Sequence, residues 1–444
     1  MDRRKFLKNS AFFSAGGLLL NHNVFSGCKD GGLPGNLSYG GKVMVIGAGA
    51  AGLYAGSLLK SRGIDFTILE ASGRYGGRLG KNSGFANYPI DTGAQWLHGK
   101  RNVAGELIKQ AGVVITEDNS EPVYWFNEAV VEELPRNLSI FEGGGLPDLS
   151  YWDYAVSRGF GSEYRYLVEA LAGDYGAAAS ELSVYYSNLE EVNWSSGNSD
   201  YKFEQTYFDF FESQFALQVQ GQLKLNTVVT SIDYSTDQII LTDATGGVYY
   251  ADKVILTVPI TVLKDADIEF VPPLPAEKTA AFSKIGMGPG MKVFLRFSEP
   301  FYDQYLLGGA VCAAYLDDSI GKSIPDNVLL AFIMGEQAAF LDTLESDEAI
   351  VEALLHELDT IYAGKANATF INARVENWTR NPFIRGAYSF STVGMGNSRS
   401  MAAEAVANKL FFAGEAMNLN GHHQTVQGAM ETAEREIINL IQNA

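Results

Sequence analysis

Lys42-Val43-Met44-Val45-Ile46-Gly47-Ala48-Gly49-Ala50-Ala51-Gly52 is the stretch from which the rest of the chain can be read. Its first five residues form a nearly continuous apolar run, the pattern of a parallel strand buried on both faces. Glycines follow at the spacing of a tight turn. Gly47 and Gly49 let a pyrophosphate approach the backbone, and Gly52 lets the next helix pack against the strand. That pyrophosphate would rest on the positive N-terminus of the helix, with Gly47, Gly49, Ala51 and Gly52 as candidate contacts. The helix is expected to run through Leu53, Leu58 and Leu59 and to stop at Gly63. Ile64 to Leu69 reads as a second strand, and Glu70 at its end is placed to accept hydrogen bonds from ribose hydroxyls. Strand, turn, helix, strand and acid in that order predict a doubly wound α/β unit that binds a dinucleotide. A carboxylate at position 70 would repel a 2′-phosphate, which disfavours NADP and leaves both NAD and FAD open.

Composition bounds what surrounds this unit. The chain has 444 residues, of which 46% are hydrophobic and 19% charged, so a large core and two domains are expected. Lys and Arg number 33 against 52 Asp and Glu, a net charge of −19 that would repel a phosphate backbone and disfavours nucleic-acid partners. The two cysteines, Cys28 and Cys312, cannot build a disulfide framework or a Cys-rich metal site. The five histidines show no HxxxH or HExxH spacing, so no metal is expected.

The N-terminus reads as an address. Arg3-Arg4-Lys5-Phe6-Leu7-Lys8 is a basic start, Ala11 to Leu20 is apolar but too short to span a bilayer, and Phe25-Ser26-Gly27-Cys28 offers small residues before a cysteine. The basic run resembles a twin-arginine export signal and the last four residues a lipoprotein box. Residues 1–28 are therefore expected to direct export to the periplasm or to a membrane through a lipid anchor on Cys28. Residues 29–41 would be a flexible linker.

Leu69-Glu70-Ala71-Ser72-Gly73-Arg74-Tyr75-Gly76-Gly77-Arg78 is similar to the second flavin signature of the flavin-containing amine oxidases. This family includes monoamine oxidases, polyamine oxidases and flavin-dependent histone demethylases. Gly77 lets backbone approach a cofactor, and Arg74 and Arg78 can neutralise pyrophosphate. Asp91 to Gly99 resembles the polyamine-oxidase segment that runs along the flavin, carrying Gln95, Trp96 and, at the substrate tunnel, His98. Phe270 to Pro275 and Met291 to Phe297 match the middle of the family. Gly386-Ala387-Tyr388-Ser389 and Leu410 to Ala416, with Gly414 and Glu415, match its C-terminal flavin contacts.

The resemblance implies a doubly wound FAD-binding domain, Rossmann-like, interleaved with an α+β substrate-binding domain. We assign residues 42–120, 212–275 and 380–444 to the first and 121–211 and 276–379 to the second. A backbone group near Val229 would meet the adenine. The last helix, Val426 to Ile441, would aim its N-terminus at the flavin pyrimidine, with Thr425 and Val426 at that end. Its apolar residues share one face, leaving Glu431, Glu434 and Arg435 to water. Tyr151 to Phe215, rich in aromatics and carrying Glu190-Glu191, reads as core, with a cation-friendly tunnel wall as the alternative.

The implied chemistry is oxidation of a polyamine or a primary or secondary amine, with hydride passing from its C–H to flavin N5. The imine is then hydrolysed to aldehyde plus amine, and O2 or another acceptor reoxidises the flavin, giving H2O2 with oxygen. Lys292 matches the family's lysine that reaches N5 through water. Tyr388 matches one wall of the aromatic cage around the amine, and the opposite wall falls at Thr425, where monoamine oxidases carry tyrosine and histone demethylases threonine. Ala387 stands where monoamine oxidases bond their flavin through cysteine, so FAD should be non-covalent. His98 is a candidate contact for a second amine, whereas His422-His423 reads as a solvent loop. An L-amino-acid oxidase, a desaturase-like FAD enzyme and a non-catalytic lipoprotein that binds a partner through a flavin fold stay open.

Overall fold

The structure, a computed structural model, describes residues 39–443. Arg3, Arg4, Cys28 and nearly all of the expected linker lie outside the described residues.

Lys42–Ile46 is a strand, and its alternation shows why the run had to be apolar throughout. Val43 and Val45 pack into one hydrophobic cluster and Met44 and Ile46 into another, one on each face of the sheet. The parallel sheet has five strands, ordered Leu223–Lys224, Asp65–Leu69, Lys42–Ile46, Lys253–Leu256, Leu410–Phe412. Three sequence segments far apart in the chain thus build one sheet. The first helix spans Ala50–Ser61 and buries Leu53 and Leu59 completely, each such side chain contributing about 1.5–3 kcal/mol. It ends as expected, with Gly63 at φ +68° donating to the Lys60 carbonyl. The C-terminal helix, Val426–Gln442, lies beside it and places Met430, Ala433, Ile437 and Leu440 in the same cluster.

The polar face of that last helix departs from the sequence reading, because loop 415–425 folds over it. Glu431 Oε1 meets His422 Nδ1 at 2.7 Å and Glu431 Oε2 accepts from Asn418 at 2.9 Å. Arg435 donates to the Met417 carbonyl at 2.8 Å and pairs with Glu436 at 2.6 Å. Glu431, Glu434 and Arg435 are half-buried rather than left to water.

The expected strand block after Leu223 is present as Val229–Asp233, Ile239–Asp243, Val248–Ala251 and Lys253–Leu256. The first three join Glu269–Val271 in a separate four-stranded sheet, while the last enters the parallel one. The second large layer is a seven-stranded sheet that includes Gly290–Phe297, Val328–Met334 and Phe370–Asn377. Here too alternation divides the residues: Met291, Val293 and Leu295 enter one cluster, and Phe294 with Phe332 another. Lys292, between Met291 and Val293, therefore shares the face of Phe294. Strand Asp200–Phe203 pairs with Trp96–His98 and with Ile115–Glu117, stitching residues of the segment read as substrate-binding onto the nucleotide-binding part. Most of the aromatics of 151–215 are core, as read, but Tyr175 and Trp194 reach the cavity described next. Among the described residues no helix is long and apolar enough to cross a membrane.

Candidate active site

A cavity of about 560 Å³ lies where the parallel sheet and the seven-stranded layer meet. Its lining includes the glycine turn. Gly47 has φ +101°, and a Cβ there would stand 2.7 Å from Thr257 Oγ1, so this turn requires glycine. Gly49 is the N-cap of the first helix and supplies no side chain, which leaves first-turn amides open toward the cavity. Gly52 does not line the cavity; a Cβ on it would fall 1.9 Å from the Gly47 carbonyl oxygen, so its glycine serves close helix packing as read. Glu70 lines the wall, accepting from the Ala48 amide at 2.7 Å and from the Ser72 amide at 2.9 Å, so its carboxylate ties the turn to the strand end.

The two arginines divide their work. Arg74 donates to the carbonyls of Leu79 at 2.8 Å and Gly77 at 2.7 Å, shaping the second glycine loop. Arg78 pairs with Glu415 at 2.9 Å and donates to the Ala387 carbonyl at 2.9 Å. Burial alone would raise the Glu415 carboxyl, but the Arg78 charge and the Ser389 hydroxyl, 2.7 Å away, hold it down at about 2. Gly77, Val229, Gly414 and Val426 also line the cavity. Gly414, at φ +120°, donates through its amide to Thr432 Oγ1 at 2.8 Å.

The same cavity is lined by the expected catalytic groups. Lys292 is 3% exposed, and its ammonium donates to the Gly93 carbonyl at 2.6 Å, the Asp91 carbonyl at 3.1 Å and Gln95 Oε1. Burial lowers its pKa from the ordinary lysine range, against the pull of Asp318 and Asp91. Tyr388 donates to the carbonyls of Gly173 at 3.2 Å and Asp174 at 3.3 Å, and burial raises its phenol well above the usual range. Trp96 and Phe332 line the wall and meet edge to face, with ring centroids 6.0 Å apart. His98 is half-buried, with Nδ1 2.8 Å from Asp200 Oδ1.

Thr425 forms the N-cap of the last helix: its Oγ1 accepts from the Gly428 amide at 3.0 Å and donates to the His422 carbonyl at 2.6 Å. Lys292, Tyr388, Thr425 and His98 thus line one cavity although their positions span most of the chain.

The solvent-loop reading of His422-His423 is wrong, because the loop that overlies the last helix carries both rings inward. They are 3% and 4% exposed. His422 is held between Glu431 and the hydroxyls of Ser195 and Ser196, and its ring packs on Trp194 at 4.8 Å. His423 Nε2 stands 2.7 Å from Glu190 Oε2. No spacing in the sequence links residue 190 to residue 423, and only the two adjacent acids at 190 and 191 hinted at a site.

Two features fit a flavin dinucleotide. Gly49 and Gly77 face each other so closely that a Cβ on Gly77 would stand 3.1 Å from the Gly49 Cα, a narrow all-backbone cradle. Among the described residues Gln95 Nε2, on the cavity wall, is buried without a hydrogen-bond partner.

The chain is similar in sequence to the flavin containing amine oxidoreductases. The model of that family matches residues 50–205 and 140–436, and the chain belongs to it. Among curated relatives it is similar to lysine-specific histone demethylase 2 of Homo sapiens, 27% identical over 435 residues that cover 89% of this chain and 52% of that one. Probable polyamine oxidase 4 of Arabidopsis thaliana is 26% identical over 437 residues, covering 87% of this chain and 84% of that one. The chain thus spans about half the length of the histone demethylase. A wild-type putrescine oxidase bound to putrescine shares the fold with a TM-score of 0.78 at 19% identity, covering 91% of this chain and 100% of that one.

Proposed function

We propose that the protein is an FAD-dependent oxidase of small cationic amines, with polyamines or primary and secondary amines as the substrate class. The observation that carries this reading is a cavity lined both by the glycine cradle and by a buried, hydrogen-bonded Lys292. The glycine turn, Glu70, Gly77, Arg78, Val229, Gly414 and Glu415 would hold the dinucleotide. FAD, when bound, supplies the acceptor for a hydride from the amine C–H and returns the electrons to O2, and the imine product hydrolyses to aldehyde and amine.

The chain's own residues prepare the amine for this step. The nitrogen must be neutral when hydride leaves, so a substrate that enters as a cation has to shed a proton inside. Trp96, Phe332, Met334 and Tyr388 give the cavity apolar walls that disfavour charge at the reacting nitrogen. Lys292 Nζ spends its three donors on the Asp91 and Gly93 carbonyls and Gln95 Oε1, and would hold a water and move a proton with it once one of those contacts is released. Ala387 offers no thiol, which supports non-covalent attachment. Arg3, Arg4 and Cys28 support export with lipidation at Cys28; unchanged membrane anchoring after replacing both arginines with lysine and Cys28 with serine would refute that step.

The test of the function is anaerobic mixing of the yellow protein with spermine, spermidine, benzylamine and L-amino acids. Flavin bleaching by one or more of the amines is expected. Bleaching by L-amino acids alone, or by none of the compounds, would overturn the proposal.

A further inference from the structure

The Glu190–His423 pair is used by nothing described so far. His423 is 4% exposed and lines the cavity beside Thr425. Its Nε2 lies 2.7 Å from Glu190 Oε2, a close contact whose angle falls outside hydrogen-bond geometry, and neither atom has a hydrogen-bond partner among the described residues. Glu190 also lines the cavity, and its other oxygen accepts from the Ser391 hydroxyl. Behind it sits Arg399, which donates to Ser389 Oγ at 3.0 Å and to the Ala416 carbonyl at 2.9 Å. The neighbouring imidazole differs in kind: both nitrogens of His422 have protein partners, whereas Nδ1 of His423 has none among the described residues.

A carboxylate only accepts, so the nitrogen facing it carries the ring proton and the other nitrogen keeps its lone pair. We propose that Glu190 fixes His423 with Nδ1 as an acceptor in the cavity, and that this nitrogen binds an N–H of the cationic amine. Glu190 is then a positioning residue and His423 a substrate contact. The assignment rests on the amine reading above and adds to it the place where the cation is held. Charge supports the arrangement. Burial and the Arg399 charge lower the His423 pKa against the opposing pull of Glu190 and Glu415, which keeps the ring neutral near pH 7. Burial works against the charge of Glu190, but the Arg399 charge and the Ser391 hydroxyl favour its ionised form. The other titratable groups of the cavity lining near this pair include His98, Asp174, Glu191, Asp200 and Glu415.

The experiment uses tert-butylamine, which has no C–H next to nitrogen and so binds without being oxidised. Calorimetric titration of the holoenzyme compares wild type with His423→Leu, which lacks an acceptor, and His423→Asn, whose Oδ1 can stand near the place of Nδ1. Leucine is expected to weaken binding about tenfold or more, the usual worth of a hydrogen bond to a charged group. Asparagine should stay within about threefold of wild type and abolish the loss of affinity that wild type shows below histidine's ordinary range of about 6.5. A purely structural role predicts equal damage from both, because both break the contact with Glu190; equal damage, or none, overturns the proposal.

If neither variant folds, wild type carrying ¹⁵N-histidine decides: a tert-butylamine-dependent shift of the His423 Nδ1 resonance supports the proposal and an unmoved resonance refutes it. Wild type that binds no tert-butylamine and shows no shift also refutes it. Bleaching by oxidisable amines is scored separately, so the subsite can fail while the oxidase stands, and the reverse.

Discussion

Replacing Gly49 with alanine should leave the protein folded and strip it of flavin. The backbone at Gly49 has φ −77° and ψ −168°, a conformation alanine adopts without strain. An added Cβ would find its nearest heavy atom, the Gly77 Cα, at 3.9 Å, which is ordinary contact. Alanine is a poorer N-cap than glycine by roughly 1 kcal/mol, and the loss of unfolded-state freedom returns about 0.4–1 kcal/mol. The net change in apoprotein stability is therefore within about 1 kcal/mol. The new methyl, however, projects from a wall of the nucleotide cradle, where overpacking costs about 1–3 kcal/mol, or roughly ten- to hundredfold in affinity.

Gly52→Ala is the control. Its Cβ would fall 1.9 Å from the Gly47 carbonyl oxygen and 2.9 Å from Thr257 Oγ1, a collision with backbone that the helix cannot absorb. A cost above about 3 kcal/mol is expected, beyond the roughly 1 kcal/mol of helix propensity gained. Urea unfolding of the apoproteins followed by circular dichroism measures the first quantity, and the flavin-to-protein absorbance ratio after purification measures the second. Gly49→Ala protein that purifies with the wild-type flavin ratio would refute the placement of the dinucleotide at this turn.

Three further outcomes are expected. Lys292→Met, of similar length and apolar, should keep its flavin but lose turnover by about 10²-fold or more, the usual effect of removing a positioned proton-transfer group; wild-type rates of bleaching and reoxidation in stopped flow would remove Lys292 from the chemistry. Acid denaturation should release FAD into the supernatant, since Ala387 cannot bond it, and colour that stays with the precipitated chain would contradict this. Glu415, held at about 2 when folded, should contribute stability that is present above its unfolded pKa and is lost as pH falls through the range from about 4.5 to 2. The contribution is of order 3 kcal/mol, and urea midpoints at pH 7 and pH 3 should therefore converge in Glu415→Gln relative to wild type.

Much of this molecule is local in the chain, and that part was legible. The apolar run at 42–46, the glycine turn, the helix stop at Gly63 and Glu70 all express backbone rules that act over a few residues, so each appears where the pattern placed it. Lys292 was legible as a matched position, and strand alternation then aims it into the cavity. What could not be read depended on which surfaces meet. The 422–423 loop is polar and irregular, the pattern of a segment left to water, yet it closes over the last helix and finds Glu190, Glu431 and two serines waiting. Those partners lie up to 233 residues away in sequence, as with His423 and Glu190. Local propensity carries no information about such a pairing, because the burial that makes an imidazole neutral and a carboxylate its partner exists only once both layers are packed.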